Sequence, residues 1–555
     1  MIRGFFGCIK KNVDRFVIGD WGWFYFDDEQ EVQLMSRSTE VQSDLLHING
    51  TIRLDYRDEL GDKLGIRYAD LLATSDDELV KQAYHKWGAD LVFHLEGDWS
   101  IAVFDSEKQQ LLLAKEPSGI SAIFYLEHEG AIYFASDTRV LSRLKNRNRI
   151  LNESYLKSLE EPLYGFLPHQ TADRDIRYLM CGERMLFDQA EMRCEVYTDL
   201  LSQPAKLSYR YAVDQVLQFR SVFAESVRQR IDFNKKTGIF LSGGLDSGSV
   251  GALLAMEFQC KQQQFDAYTS VPAYPDELSA SVRAIADESP VVQHLVDAYG
   301  SIIPHAVDFK GDAVISNHIE KRIEDCFYPV ITKNTYWING IVKQAHEAGV
   351  SRMMQAQTGN YIISWNAPQR ILTELMQGDW KRAARELKCM THATGVNSMR
   401  LLWREVIRPI IKSWVRRGGV PMNSRLLRIE MLKRNLTFTG MRWYLDGLMF
   451  GMNIVEPTSD QRLIRHSLMV PEWLFNYDGE QKYILRAAMK GILPDAIRNS
   501  TRIFFQSCDF MSHLDRDEGL KKILARTHMK NINPNRIREE LVTLSLELFK
   551  SQKKN

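Results

Sequence analysis

Gly238-Ile239-Phe240-Leu241-Ser242-Gly243-Gly244-Leu245-Asp246-Ser247 runs an apolar strand into a glycine turn that carries two hydroxyls and a carboxylate. Glycines at 243 and 244 let the backbone bend closely around an anion, so successive N–H groups and the first turn of the next helix converge on it. Ser242 and Ser247 add hydroxyl donors, and Asp246 suits a Mg²⁺ that neutralises phosphates. No lysine stands in the turn, so this is not a Walker A loop; the plain alternative is a turn and N-cap before a helix. Phe265 to Val271 reads as a second apolar strand, with Ser249 to Phe258 as the helix between. That is a βαβ unit of the doubly wound parallel kind, with its phosphate loop at a strand's carboxyl end, where such sheets bind ligands.

At 555 residues the chain exceeds one core. Met1 to about Thr198 shows short apolar segments, Leu91 to Phe104, Leu111 to Ala114 and Ala131 to Ala135, parted by Gly, Asp and Glu turns. This predicts a layered, β-rich α+β domain over 1–200. A linker is expected over Leu201 to Leu207, and helical spacing resumes from Tyr211 to Ile231, opening an α/β domain over 208–555. Helical periodicity dominates from Thr335 to Lys550.

Lys plus Arg and Asp plus Glu both number 71, so the whole-chain balance gives no reason to expect nucleic-acid or membrane binding. The seven cysteines are scattered without a CxxC pair, which argues against a zinc site and a disulfide framework and fits a reducing compartment. The apolar run at the start is too short for a signal peptide, and no window approaches a membrane span, so a cytoplasmic location is expected. Trp403-Arg404 to Arg416-Arg417 reads as a peptide-binding surface or an amphipathic helix with a solvated face.

The string Ser242-Gly243-Gly244-Leu245-Asp246-Ser247 resembles the pyrophosphate loop of the asparagine synthetase family. Other strings follow in that family's order: Leu54 to Leu60, Ser75 to Leu79, Gly97 to Asp105, Ala135-Ser136-Asp137, Asp287-Glu288-Ser289, Glu456 to Leu463, and Lys482 to Ala488 with Leu493-Pro494-Asp495. The resemblance implies an amino-terminal glutaminase-like domain of the Ntn-hydrolase type and a carboxy-terminal ATP-pyrophosphatase domain with helical additions. It implies ATP and Mg²⁺ as cofactors, a carboxylate adenylated on ATP, and an amine that then displaces AMP. Glutamine-using members need an amino-terminal cysteine as nucleophile. Ile2 stands there, and Cys8 reads as a buried small hydrophobe, so the first domain is expected to be a scaffold. The family's glutamine-independent branches, the β-lactam synthetases and lasso peptide cyclases, keep such a scaffold.

The family's second motif, S-G-E-G-x-D-E, corresponds to Gln355-Ala356-Gln357-Thr358-Gly359-Asn360-Tyr361. Gln357 stands where a glutamate assists the amine, and Asn360 where an aspartate helps bind metal; size is kept and charge lost. The resemblance implies nucleotide contacts from Leu241, Ser242, Gly243, Gly244, Leu245, Asp246, Ser247, Gly359 and Asn360, with Asp246 as metal ligand and Asp246 and Gln357 in the chemistry. Arg502, after Leu493-Pro494-Asp495, takes the place of the catalytic cation, with a solvated surface charge as its alternative. Gln506 and Asp509 resemble a Q-x-x-D of the divergent branch, whereas Phe504 replaces a glycine. The reading that follows is a lasso-cyclase-like ligase joining an Asp or Glu side chain of a precursor peptide to its own amine, with a leader peptidase or recognition protein as partner. Its rivals are a β-lactam-synthetase-like or ammonia-using enzyme on a small molecule, and a degenerate homologue that binds a nucleotide or partner without turnover.

Overall fold

The computed structural model describes residues 3–12, 15–26, 32–36, 45–144, 147–160, 167–188, 191–202, 212–310, 314–415, 423–502, 504, 506–527, 532 and 536–551. The expected linker lies, from residue 203 on, outside them, as do Ile2, Arg416 and Arg417.

Among the described residues, eleven strands build the first part: β1 (Gly4–Asn12), β2 (Arg15–Phe26), β3 (Val32–Ser36), β4 (Leu46–Leu54), β5 (Gly97–Asp105), β6 (Gln110–Lys115), β7 (Phe124–His128), β8 (Ala131–Ala135), β9 (Arg177–Tyr178), β10 (Glu183–Phe187) and β11 (Met192–Val196). They form two antiparallel sheets, ordered β3-β2-β1-β8-β7-β9 and β11-β10-β6-β5-β4. Phe5, Ile9, Trp21 and Phe134 from one sheet meet Phe104, Leu113 and Met185 from the other in a closed apolar layer. The apolar run from Leu91 splits: Gly88–Phe93 is a 3₁₀ turn and extended structure begins only at Gly97, whose φ of 130° suits glycine.

A fully parallel sheet follows, from β12 (Thr237–Phe240), β13 (Phe265–Ser270), β14 (Ile302–Val307), β15 (Arg352–Met354) and β16 (Asn453–Val455). Its order, β14-β13-β12-β15-β16, reverses direction between β12 and β15. Loops leaving the carboxyl ends of the two strands flanking such a switch point run to opposite faces and leave a crevice, the usual ligand position in these sheets. Helices Ala212–Arg228 and Leu245–Cys260 cover the sheet through Phe219, Phe223, Val250 and Leu254, all buried. No described helix is long and apolar enough to cross a membrane.

Buried contacts join the halves. Arg230, 1 % exposed, lies 3.0 Å from Asp460, 3.4 Å from Asp55 and 3.6 Å from Asp98, while Arg53 pairs with the latter two aspartates from within the first half. Burial pushes the Asp55 carboxyl up, but Arg230 and Arg53 outweigh it and hold it below its ordinary value. Elsewhere along the junction, two glycines meet backbone to backbone: a Cβ on Gly119 would fall 2.1 Å from the Leu436 carbonyl oxygen, and one on Gly440 2.2 Å from that of Gly119.

Candidate active site

The loop after β12 is braced from inside. Ser242 N donates to Ser247 Oγ at 3.1 Å, the two serine hydroxyls lie 2.7 Å apart, and Gly244 N donates to Ser242 Oγ at 3.2 Å. The hydroxyls thus hold the turn open and leave Gly244 at the N-cap of a 16-residue helix, whose dipole favours an anion there. Gly243 N donates instead to Glu288 Oε2, 2.7 Å away. Burial pushes the Glu288 carboxyl up to about 7, against the pull of that N–H and of Gln506.

A cavity of about 280 Å³ opens at the crevice, and Ser242, Asp246, Ser247, Gln357, Asn360 and Lys482 are among the residues lining it. Phe240, Tyr268, Trp337 and Trp443 supply an aromatic wall. Leu241, Gly244 and Leu245 also reach it, whereas Gly243 and Gly359 stand behind the lining. Space at Gly359 is tight: a Cβ there would sit 3.1 Å from Asp246 Cβ and 3.2 Å from its Cγ. Ser364 Oγ donates to Asp246 Oδ2 at 2.8 Å, and Asp246 Oδ1 is sealed from solvent with no hydrogen-bond partner. Burial pushes this carboxyl up, opposed by Lys482 and Ser364. An orphaned carboxylate oxygen next to the serine-braced loop fits a divalent cation, and Asn360 lines the same cavity.

The loop after β15 is fixed by Glu456, whose carboxylate accepts from Thr358 N, from Thr358 Oγ1 at 2.7 Å and from Gln355 Nε2 at 3.1 Å. Gln357 and Asn360 therefore project from a braced turn. Arg502 is exposed, is absent from the cavity lining, and has its backbone N–H on Ser500 Oγ. Lys482 is the lining cation among the described residues: its left-handed backbone, φ 58°, ends one segment and starts the helix Tyr483–Ala488. The sequence quoted Lys482 within a family string without giving it a role, because no spacing signals which way a residue at such a corner faces. Phe504 lays its ring 3.0 Å from where a Gly243 Cβ would be, so the bulky residue packs under the loop. Asp509 accepts from Ala273 N at 2.6 Å and from the Tyr336 hydroxyl at 3.2 Å, tying down the chain beyond β13.

A larger cavity of about 760 Å³ lies between the halves, lined by Arg3, Thr51, Arg53, Asp77 and Asp98 from the first and by Lys235, Tyr444 and Met452 from the second. No cysteine lines it among the described residues; Cys8 is 2 % exposed in mid-strand, opposite Tyr133.

A glutamine amidotransferase domain matches residues 27–198 and asparagine synthase matches residues 218–543. Asparagine synthetase [glutamine-hydrolyzing] 3 of Bacillus subtilis (strain 168) is 22% identical over 446 residues, 76% of this chain and 69% of that protein. A putative asparagine synthetase [glutamine-hydrolyzing] of Mycobacterium tuberculosis (strain ATCC 25618 / H37Rv) is 26% identical over 215 residues, 38% of this chain and 32% of that protein. Among solved structures, the glutamine phosphoribosylpyrophosphate amidotransferase of B. subtilis, complexed with ADP and GMP, aligns with a TM-score of 0.22 at 11% identity, over 56% of this chain and 76% of that one.

Proposed function

The chain belongs to the asparagine synthase family of ATP-dependent carbon–nitrogen ligases, and from that premise we propose that it closes an amide within one substrate, as a lasso-cyclase-like macrolactam ligase that does not use glutamine. The sealed, unpartnered Oδ1 of Asp246 beside the serine-braced loop carries the reading. A substrate carboxylate oxygen attacks the α-phosphorus of ATP, pyrophosphate leaves, and the substrate's own amine then displaces AMP and sheds a proton. Ser242, Ser247 and the helix N-terminus hold the departing pyrophosphate. Mg²⁺, held by Asp246, would offset phosphate charge. Lys482, on the cavity wall, balances charge gathering on the α-phosphorus, and the Gln357 amide, on the same wall, orients the incoming amine. The aromatic wall suits an apolar peptide turn.

Independence from glutamine is supported by the burial of Cys8 in mid-strand, 2 % exposed. A second reading, nucleotide binding without turnover, draws on the exposure of Arg502. Isotope exchange between pyrophosphate and ATP separates the two. Exchange that appears only with a carboxylate-bearing peptide and vanishes in Asp246→Ala supports the ligase; undiminished exchange in that variant, or ATP binding without exchange under any peptide, rejects it. Glutamate released from glutamine above a blank would reject the glutamine-independent part.

A further inference from the structure

Neutrality of the whole chain conceals a local excess: residues 380–417 hold ten lysines and arginines against two glutamates, a surplus of eight positive charges. Both glutamates are engaged, Glu386 with Arg370 in the interior and Glu405 with the Gln369 N–H and Arg404. The same segment leaves large apolar side chains in solvent: Met399 is 73% exposed, Trp403 52%, Ile407 42% and Ile411 47%, with Trp380 at 69%.

The spacing of those four has a backbone cause. Ser398–Leu402, a π turn over Trp403–Ile407 and Arg408–Val415 form one continuous helix, buried on its other side through Leu401 and Pro409. Pro409 has no N–H to give and crowds the carbonyl four residues back, so the ladder is reset there and Arg408 N reaches back to Trp403 O. Residues four apart in an unbroken α-helix drift by about 40° per step. The wider π turn winds part of that drift back, which keeps Met399, Trp403, Ile407 and Ile411 along one ridge. Arg400, Arg404 and Arg408, each one residue further on and each exposed, form a cationic ridge beside it.

We propose that this helix is a docking surface for an anionic lipid membrane, lying in the headgroup plane with its apolar ridge inserted and its arginines on lipid phosphates. Side-by-side apolar and cationic ridges with exposed tryptophan are what an interfacial helix needs. A second copy of the chain would bring like charges together, which disfavours self-association through this face. The surface is independent of the reaction proposed above.

Flotation of the full chain with vesicles of phosphatidylcholine plus phosphatidylglycerol, against phosphatidylcholine alone, tests it. Binding is expected only to the anionic vesicles, with a blue shift of tryptophan fluorescence and release by salt. Arg404→Glu with Arg408→Glu should weaken it by roughly 25-fold or more, at about fivefold per charge removed. Trp403→Ser should weaken it at unchanged charge; unaltered melting and pyrophosphate exchange in both variants show that the fold is intact. Equal binding to both vesicle types, binding to neither, or parental binding by the charge-reversed variant overturns the proposal. So does capture of soluble poly-glutamate without vesicle binding, which would make this face a dock for acidic peptides.

Discussion

Arg230→Met removes the cation shared by three buried carboxylates while keeping a long apolar stem. The guanidinium lies within 3.6 Å of Asp460, Asp55 and Asp98, and its side chain is 1% exposed, so no water replaces it. Removing one partner of a buried ion pair costs about 3–5 kcal/mol, because the other charge stays uncompensated. Arg53 still covers Asp55 and Asp98, which places the loss inside that range rather than at a multiple of it. A domain of 150–250 residues loses roughly 2–4 °C per kcal/mol, so the first calorimetric transition should fall by roughly 6–20 °C. The pH dependence gives the sign. In the parent, Asp55 has its pKa held below the ordinary 3.8, a contribution present above that value and lost as pH falls. The variant lacks the Arg230 part of that contribution, so its deficit should be greatest near neutrality and should close as the pH falls into the carboxylate range. A transition within about 2 °C of the parent, or a deficit that does not vary with pH, would refute the reasoning.

Three further outcomes follow from the site. Lys482→Met should lower pyrophosphate exchange by roughly 10²-fold and Arg502→Met by much less; a larger loss in the second would return the catalytic cation to Arg502. Gly359→Ala should push Asp246 by a few tenths of an ångström and reduce exchange roughly tenfold at unchanged melting temperature, whereas parental rates would show that Asp246 tolerates the shift. Glu288, with its pKa raised from 4.5 to about 7, contributes stability that is complete below 4.5 and lost as pH rises through 7. Glu288→Gln should therefore flatten the stability profile across that window, and an unchanged melting profile would remove Glu288 from the account.

The sequence made the parallel sheet and the loop legible because both rest on local patterns, an apolar strand, a glycine pair and a helix start within ten residues. It also exposed the departures at Gln357 and Asn360, since residue identity is all that those positions require. It did not reveal that Glu288 reaches Gly243, that Glu456 braces Thr358, or that Lys482 rather than Arg502 lines the cavity, because those contacts join distant segments and depend on backbone angles at single corners. The surplus of charge over 380–417 was readable, yet it disappears in a whole-chain count.

Gly119, at φ 86°, and Gly440 press carbonyl to α-carbon across the junction of the halves, with no room for one methyl group on either side. Such a seam makes the two modules matched rather than interchangeable parts. A chimera that takes its first module from a relative would dock only if the donor also carried a side-chain-free residue in that left-handed corner. Anyone recombining these enzymes to change substrate should therefore cut within the second module, beyond residue 440, and leave this contact to be inherited whole.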